Sequence, residues 1–327
     1  MTHMDTSTIF LTGGTGFLGY HLVPRLVSEG YRVRLLVRRR PAPPPMSGVE
    51  YVWGDVTDPR SVACGLQGCQ FVVHAAGLFR FWGTEDDFHR INVQGTANVV
   101  RAASQAGVSR FVHVSTIAVV GHAPPGKPIT ETTACSPLDA YQRSKLAGED
   151  QVQQQEVPVV ILRPGAFYGP GGTYGFNRLF IQDPMRGIRI QVDGGKRLIF
   201  PVFVPDVAWA IGQALRHPEA QGIYNICDQP RAHQEINRHV SQLLGISPFR
   251  FSVPRGPILA FAGLLEFFSH YTHQEPFFPL NLRHYVFNDW PVSSAKARLE
   301  LGFQPTPIEE GLRKTVQWYQ GRQREEG

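Results

Sequence analysis

The chain has 327 residues, 42% of them hydrophobic and 18% charged, with a formal net charge of +5. That is enough for one large or two modest globular units with a sizeable core. Lys and Arg are scattered, Arg38-Arg39-Arg40 being the only tight run, so the clustered face that nucleic acid requires is absent and no nucleic-acid partner is expected. The four cysteines, Cys64, Cys69, Cys135 and Cys227, form neither a Cys-x-x-Cys pair nor a zinc spacing. No metal site is expected, and reduced thiols in a cytoplasmic protein fit this usage.

The opening residues carry no charged region followed by a long apolar stretch, so no secretion signal is read there. Thr8–Thr12 is rich in β-formers and predicts a first strand. A glycine cluster and an amphipathic stretch from Phe17 to Ser28 follow. Strands are predicted at 31–37, 49–55, 70–76, 110–116 and 157–163, and helices after Asp58-Pro59, from Glu85 to Ala106 and from Pro137 to Gln155. Pro41–Pro45 reads as an exposed loop, because consecutive prolines fit neither a helix nor a central strand. Strands alternating with helices demand parallel pairing, and apolar strands without strict alternation fit a sheet covered on both faces. The expected fold is α/β, a doubly wound parallel Rossmann sheet.

Beyond Pro164 the pattern loosens. A helix at 205–216 and a strand at 222–227 return to the main sheet. The expected division is a dinucleotide-binding domain over 1–170 plus 204–227, and a smaller substrate lobe over 171–203 and 228–327. Aromatic residues cluster at 249–251, 267–271 and 277–278. The apolar stretch Pro257–Phe268 is shorter than the ~20 residues that span a bilayer. Three readings stand for it: a core or subunit-contact helix, a lid over a greasy pocket, or a contact with a membrane surface.

The segment Thr12-Gly13-Gly14-Thr15-Gly16-Phe17-Leu18-Gly19 lies where the first strand turns into the first helix, and Gly14, Gly16 and Gly19 match G-x-G-x-x-G. Glycines there serve a tight turn, close backbone approach to a pyrophosphate and helix-against-strand packing. The helix N-terminus presents free N–H groups to the phosphates. NAD binders carry a carboxylate after the second strand; here Arg38 follows Val37 at once. A guanidinium there suits a 2′-phosphate, so NADP is expected over NAD, with NAD as the alternative. Asp55, with Val56 beside it, closes the third strand and is placed either to meet the adenine or to serve its own turn.

Tyr141 and Lys145 stand four apart in a predicted helix and so share one face. An ammonium near a phenol favours the phenolate, and such a tyrosine can exchange a proton with a substrate oxygen while hydride moves. Ser115 and Thr116 supply hydroxyls on the preceding strand.

Taken together, TGGTGFLG (12–19), GDVTD (54–58), HAAG (74–77), NVQGTANVV (92–100), VSTIAVVG (114–121), YQRSK (141–145), RPGAFYGPG (163–171), VPDVA (204–208) and the segment 293–312 resemble the extended short-chain dehydrogenase/reductase family over nearly the whole chain. The resemblance implies Tyr141 as acid/base, Lys145 holding the ribose and tuning Tyr141, and Thr116 rather than Ser115 at the substrate oxygen, Ser115 contacting cofactor through its backbone. It places Ala75, Ala76 and Gly77 against the ribose or pyrophosphate, Asn92 near the cofactor, and Pro164, Gly165 and Phe167 around the nicotinamide carboxamide. Asn92 equally suits a helix-supporting hydrogen bond, and Asp206 suits a helix N-cap better than a catalytic role. The family also suggests a homodimer through the helices near 85–106 and 138–155.

Two branches compete. Nucleotide-sugar epimerases and dehydratases usually carry an asparagine where this chain has Ala166 and an arginine where it has Ile199, although Arg197 lies two residues away. The 3β-hydroxysteroid dehydrogenase-like and dihydroflavonol reductase-like branch fits better. Leu78, Phe79, Arg80, Phe81 and Trp82, with Phe176, Phe261, Phe267 and Phe268, suggest an apolar pocket for a hydrophobic carbonyl or secondary alcohol.

Overall fold

The computed structural model describes residues 7–38, 44–247 and 251–326. Arg39, Arg40, Phe249 and the first part of the proline run lie outside them; Pro44 and Pro45 are exposed.

Seven parallel strands form the central sheet: β1 (Thr8–Thr12), β2 (Arg32–Val37), β3 (Val49–Trp53), β4 (Phe71–His74), β5 (Arg110–Val114), β6 (Val159–Pro164) and, later in the chain, β11 (Gly222–Ile226). Their spatial order is β11-β6-β5-β4-β1-β2-β3. This is the expected Rossmann sheet, and each strand stands within about three residues of its predicted bounds. Ile9, Phe10 and Leu11 of β1 are fully buried. Because successive side chains leave opposite faces, Ile9 and Leu11 join one core with Val33 and Leu35, while Phe10 joins another with Leu36 and Val72. Helix α1 (Phe17–Ser28) and α7 (Val204–Arg216) cover the first face. On the second lie α2 (Pro59–Leu66), α4 (Gly95–Gln105) and α5 (Ala140–Gln153).

Local chemistry sets the helix ends. Asp58 caps α2, accepting from the Arg60 N–H at 3.0 Å, with Pro59 in the first turn. The stretch predicted from Glu85 is helical but not uniform: α3 (Glu85–Phe88) passes through a π-helical turn, His89–Gln94, into α4. Helix α5 begins at Ala140, three residues later than expected, because Asp139 accepts from the Gln142 N–H at 2.8 Å and caps it there.

The remaining elements build over the C-terminal ends of the strands. Strand β7 (Ala166–Tyr168) pairs with β10 (Pro201–Phe203), β9 (Leu198–Ile199) with β12 (Arg231–Ala232), and β8 (Ile190–Val192) with β13 (Phe251–Val253). Between them run α6 (Asp183–Met185) and α8 (His233–Leu244), followed by α9 (Arg255–Thr272), α10 (Arg283–Val286), α11 (Ala295–Glu300) and α12 (Ile308–Glu326). Tyr168, Phe176, Phe180, Phe200, Phe203 and Trp290 form their shared core. The chain also returns to the sheet late: Ala297, Leu301 and Phe303 pack into the core of the first face.

Helix α9 turns only Ala262 and Ser269 fully inward; Phe261, Leu264, Phe267, Phe268 and Tyr271 are all more than half exposed. No helix among the described residues is long and apolar enough to cross a membrane. Asp206 differs from its expected role. Helix α7 starts at Val204, so Asp206 lies inside the first turn. Its carboxylate accepts from the Thr306 N–H at 2.7 Å and the Thr306 hydroxyl at 2.8 Å, tying the late segment to the sheet.

Candidate active site

The strand order reverses beside β1: the chain moves outward to β2 and β3, then returns to β4 on the other side. Two diverging crossovers leave a crevice at the C-terminal ends of β1 and β4, where ligands of such sheets bind. A cavity of about 850 Å³ opens there.

The glycine loop forms one wall, and its glycines divide their tasks. Gly13 has a φ of +77°, and a Cβ on it would stand 2.5 Å from the Ala75 carbonyl carbon. A Cβ on Gly14 would meet the Leu35 side chain at 2.4 Å, and one on Gly19 would meet the Gly14 carbonyl oxygen at 2.1 Å. Thus Gly13, outside the G-x-G-x-x-G spacing, makes the turn, while Gly14 and Gly19 serve packing and do not line the cavity. Gly16 lies at the N-cap of α1, which has no side-chain cap, and a Cβ there would approach only the Gly13 carbonyl, at 3.3 Å. Uncapped N–H groups facing a lined cavity fit the phosphates of a dinucleotide. Thr15, Phe17 and Leu18 complete this wall.

At the adenosine end, Leu36, Arg38 and Val56 line the cavity. Asp55 does not line it. Its Oδ1 accepts from the Thr57 N–H and hydroxyl, both at 2.8 Å, and its Oδ2 stands 3.8 Å from the Arg38 guanidinium. The turn reading of Asp55 therefore matches its bonds, with its free oxygen beside Arg38. Ala75, Ala76 and Gly77 form the floor, and Pro164, Gly165 and Phe167 the far side. Gly165 is hemmed in, since a Cβ would stand 2.2 Å from the Phe200 carbonyl oxygen.

Asn92 sits in the π turn, fully buried and away from the cavity lining. Its side chain accepts from the Leu78 N–H at 2.7 Å and donates to the Leu78 carbonyl at 3.0 Å and to Ser144 at 2.9 Å. It clamps the segment after Gly77 to α5, and the wider π turn brings it into position.

Tyr141, Lys145, Ser115 and Thr116 all line the cavity. The Thr116 hydroxyl hydrogen-bonds with Tyr141 and also accepts from the Ala118 N–H at 3.2 Å. Burial holds the Tyr141 phenol well above its ordinary value; the Thr116 bond offsets this in part, and nearby Asp139 adds to it. The lowering expected from Lys145 is not among these forces. Lys145 is buried, and its Nζ donates to the Val114 carbonyl at 2.8 Å. Burial brings its ammonium down to about 8, against an opposing pull from Glu149. Ser115 turns its hydroxyl away from the cavity to donate to Glu149.

Two networks escaped the sequence reading. Below α5, Glu149 (0% exposed) pairs with Arg163 (4%), through Nε at 2.9 Å and Nη2 at 2.6 Å. At the crevice, the His74 ring bridges the Thr12 hydroxyl at 2.7 Å and the Thr96 hydroxyl at 2.9 Å, while Thr12 accepts from the Ala76 N–H at 3.2 Å. Burial brings His74 down to about 3, so it bridges as a neutral ring. The signals were a histidine inside an apolar strand and a glutamate one turn beyond Lys145.

The substrate side is aromatic. Phe79 lies 4.9 Å from the Tyr141 ring centroid, and Phe81 packs on Phe79, Tyr174 and Tyr285 at 5.2–5.3 Å. Phe176 lines the cavity as expected, together with Phe200 and Leu282, and the exposed Arg80 stands at its edge. Trp82, Phe267 and Phe268 do not, and Phe261 lines a neighbouring cavity. Ile199 reaches the cavity wall, whereas Arg197 pairs with Asp289 at 2.8 Å and stays outside it.

Comparison with known proteins agrees with this geometry. Residues 9–227 match the model of the NAD dependent epimerase/dehydratase family. The chain is 32% identical over 320 residues to the ceramide reductase of Caulobacter vibrioides, covering 95% of this chain and 94% of that one. It is 31% identical over 262 residues to a ketoreductase of Stigmatella aurantiaca, which acts on 4-hydroxy-2-methyl-3-oxo-4-farnesyl-3,4-dihydroquinoline-1-oxide, covering 77% and 76%. The Bordetella bronchiseptica enzyme WbmG, solved in complex with NAD, shares the fold at a TM-score of 0.79 and 22% identity over 98% of this chain and 96% of that one. The chain belongs to the NAD dependent epimerase/dehydratase family and is an enzyme of the extended short-chain dehydrogenase/reductase type.

Proposed function

We propose that this enzyme reduces a hydrophobic ketone or aldehyde to its alcohol, reversibly, with NADPH preferred over NADH. One observation carries the reading: the Thr116–Tyr141 pair stands at the wall of a cavity whose substrate side is built from Phe79, Phe81, Tyr174 and Tyr285. Apolar walls with a few convergent polar groups select an apolar ligand with one reactive oxygen.

The glycine loop would hold NAD(P)H, which would supply the hydride. Thr116 and Tyr141 hold the carbonyl oxygen by hydrogen bonds. Tyr141, kept protonated by its burial, donates its proton to that oxygen as the carbon is reduced, leaving a phenolate beside the Thr116 hydroxyl. Lys145 and the N-terminus of α1 hold ribose and phosphates, Ser115 contributes its backbone, and Arg38 holds the 2′-phosphate. The nucleotide-sugar alternative finds less support. Apolar Ile199 lines the cavity, and the cation nearest in sequence, Arg197, is paired elsewhere. The ceramide reductase and the ketoreductase among the relatives accord with this reading. Residues 1–170 with 204–227 act as the cofactor domain and the rest as the substrate lobe. Two copies pair through α4 and α5, in the cytoplasm.

Tyr141→Phe tests the assignment. Turnover of ketones is expected to fall by about 10²–10⁴-fold, the usual scale of a general acid, with stabilisation by NADPH unchanged. Near-wild-type turnover would overturn it.

A further inference from the structure

A second cavity, of about 260 Å³, lies beneath α9. It shares Leu179, Phe180, His233 and Val286 with the first, so the two lie side by side with these side chains at their common wall. Beyond that wall its lining is largely apolar, including Ile190, Val192, Val253 and Ile258, and its outer edge carries Phe261 and Phe277. The common wall and its surroundings hold unused hydrogen-bonding atoms. His233 is buried, and its Nε2 has no protein partner among the described residues. One turn along α8, Asn237 gives its Nδ2 to Gln191 at 3.1 Å, which leaves its buried Oδ1 unpartnered. Buried polar atoms are nearly always satisfied, so two of them where the two cavities share a wall point to a ligand group.

We propose that this second cavity holds an aliphatic arm of the substrate, with His233 and Asn237 receiving a hydroxyl or secondary amide at the root of the arm. This rests on the ketone-reductase reading and adds a substrate class to it: a long-chain amphiphile rather than a compact steroid-like or aromatic ketone. Each methylene that leaves water for such a cavity improves affinity about fourfold, from ~0.8 kcal/mol per buried CH₂.

The test is calorimetric affinity for the 2-alkanones from 2-hexanone to 2-hexadecanone, with turnover followed separately. For the wild-type enzyme, affinity is expected to rise about fourfold per methylene once the chain passes His233. In Ile258→Trp, which fills the cavity, that rise should stop while 2-hexanone binds as before. Phe261→Asp, at a position 53% exposed and therefore not needed for folding, should cut affinity for the longest ketones at least tenfold. Asn237→Leu should weaken a chain bearing a secondary amide and spare the plain alkanone. A wild-type affinity that stops rising at short chains, or a rise unaltered in both Ile258→Trp and Phe261→Asp, would overturn the arm site. An equal effect of Asn237→Leu on both ligands would overturn the role of the common wall. A chain-length dependence that persists without any turnover would support the arm site and overturn the reductase reading alone.

Discussion

Glu149→Gln probes the support beneath α5. The Glu149 carboxylate is fully buried and accepts from Arg163 and from the Ser115 hydroxyl. The substitution keeps its shape and removes its charge, leaving the Arg163 guanidinium, only 4% exposed, without a counter-ion. Breaking a buried pair in this way costs about 3–5 kcal/mol. Unfolding entropy scales with chain length, at ~0.7 kcal/mol per kelvin for a chain of this size, so Tm should fall by roughly 4–7 °C. A second consequence follows one turn back along α5. Burial lowers Lys145 to about 8 and Glu149 pulls it upward, so the variant should bring it lower still. The folded protein disfavours the ammonium; its burial therefore costs stability in full below about pH 8, and this cost fades as pH rises from there toward the ordinary lysine value of 10.5. If the charged Lys145 is the form that holds ribose, kcat/KM should decline above about pH 8 in the wild type and at lower pH in Glu149→Gln. Differential scanning calorimetry and a pH series of kcat/KM read the two effects. Replacing both partners, Glu149→Leu with Arg163→Met, should recover most of the lost stability, because no uncompensated charge remains. A Tm within a degree of wild type, together with an unmoved alkaline limb, would refute this account of Glu149.

Arg38→Ala should weaken NADPH by at least tenfold while changing NADH little, since a charge-assisted bond to a 2′-phosphate is worth about 1.5–3 kcal/mol; equal losses for both cofactors in titration would assign Arg38 no part in discrimination. Gly13→Ala forces a side chain into a backbone at φ +77° and against the Ala75 carbonyl. Holding a non-glycine residue there costs about 1–2 kcal/mol before the clash is counted, so stabilisation by either cofactor should be largely lost. An unchanged thermal shift with NADPH would show that β1 and β4 need not approach so closely.

Much of this enzyme was legible in one dimension. Apolar runs at strand length, alternating with amphipathic stretches, leave few solutions other than a parallel sheet covered on both faces, and the sheet formed as expected. Tyr141, Lys145 and the glycine loop could be picked out because spacing along one helix or one turn already sets their geometry, whereas Thr116 came only from the family resemblance; all of them line the same cavity. Contacts between distant segments had no such local signature. The Glu149–Arg163 pair, the His74 bridge between Thr12 and Thr96, and the Asp206 clamp on Thr306 join residues that only the packed sheet brings together. The same holds for the Tyr141 phenol, whose environment is set by burial and Thr116, since the Lys145 ammonium is drawn to the Val114 carbonyl. Aromatic residues of the late segments read alike in sequence, yet Tyr285 faces the cavity while Phe267 and Phe268 face outward. Periodicity assigns a side chain to a face of its own element; which neighbour covers that face is decided only when the elements pack.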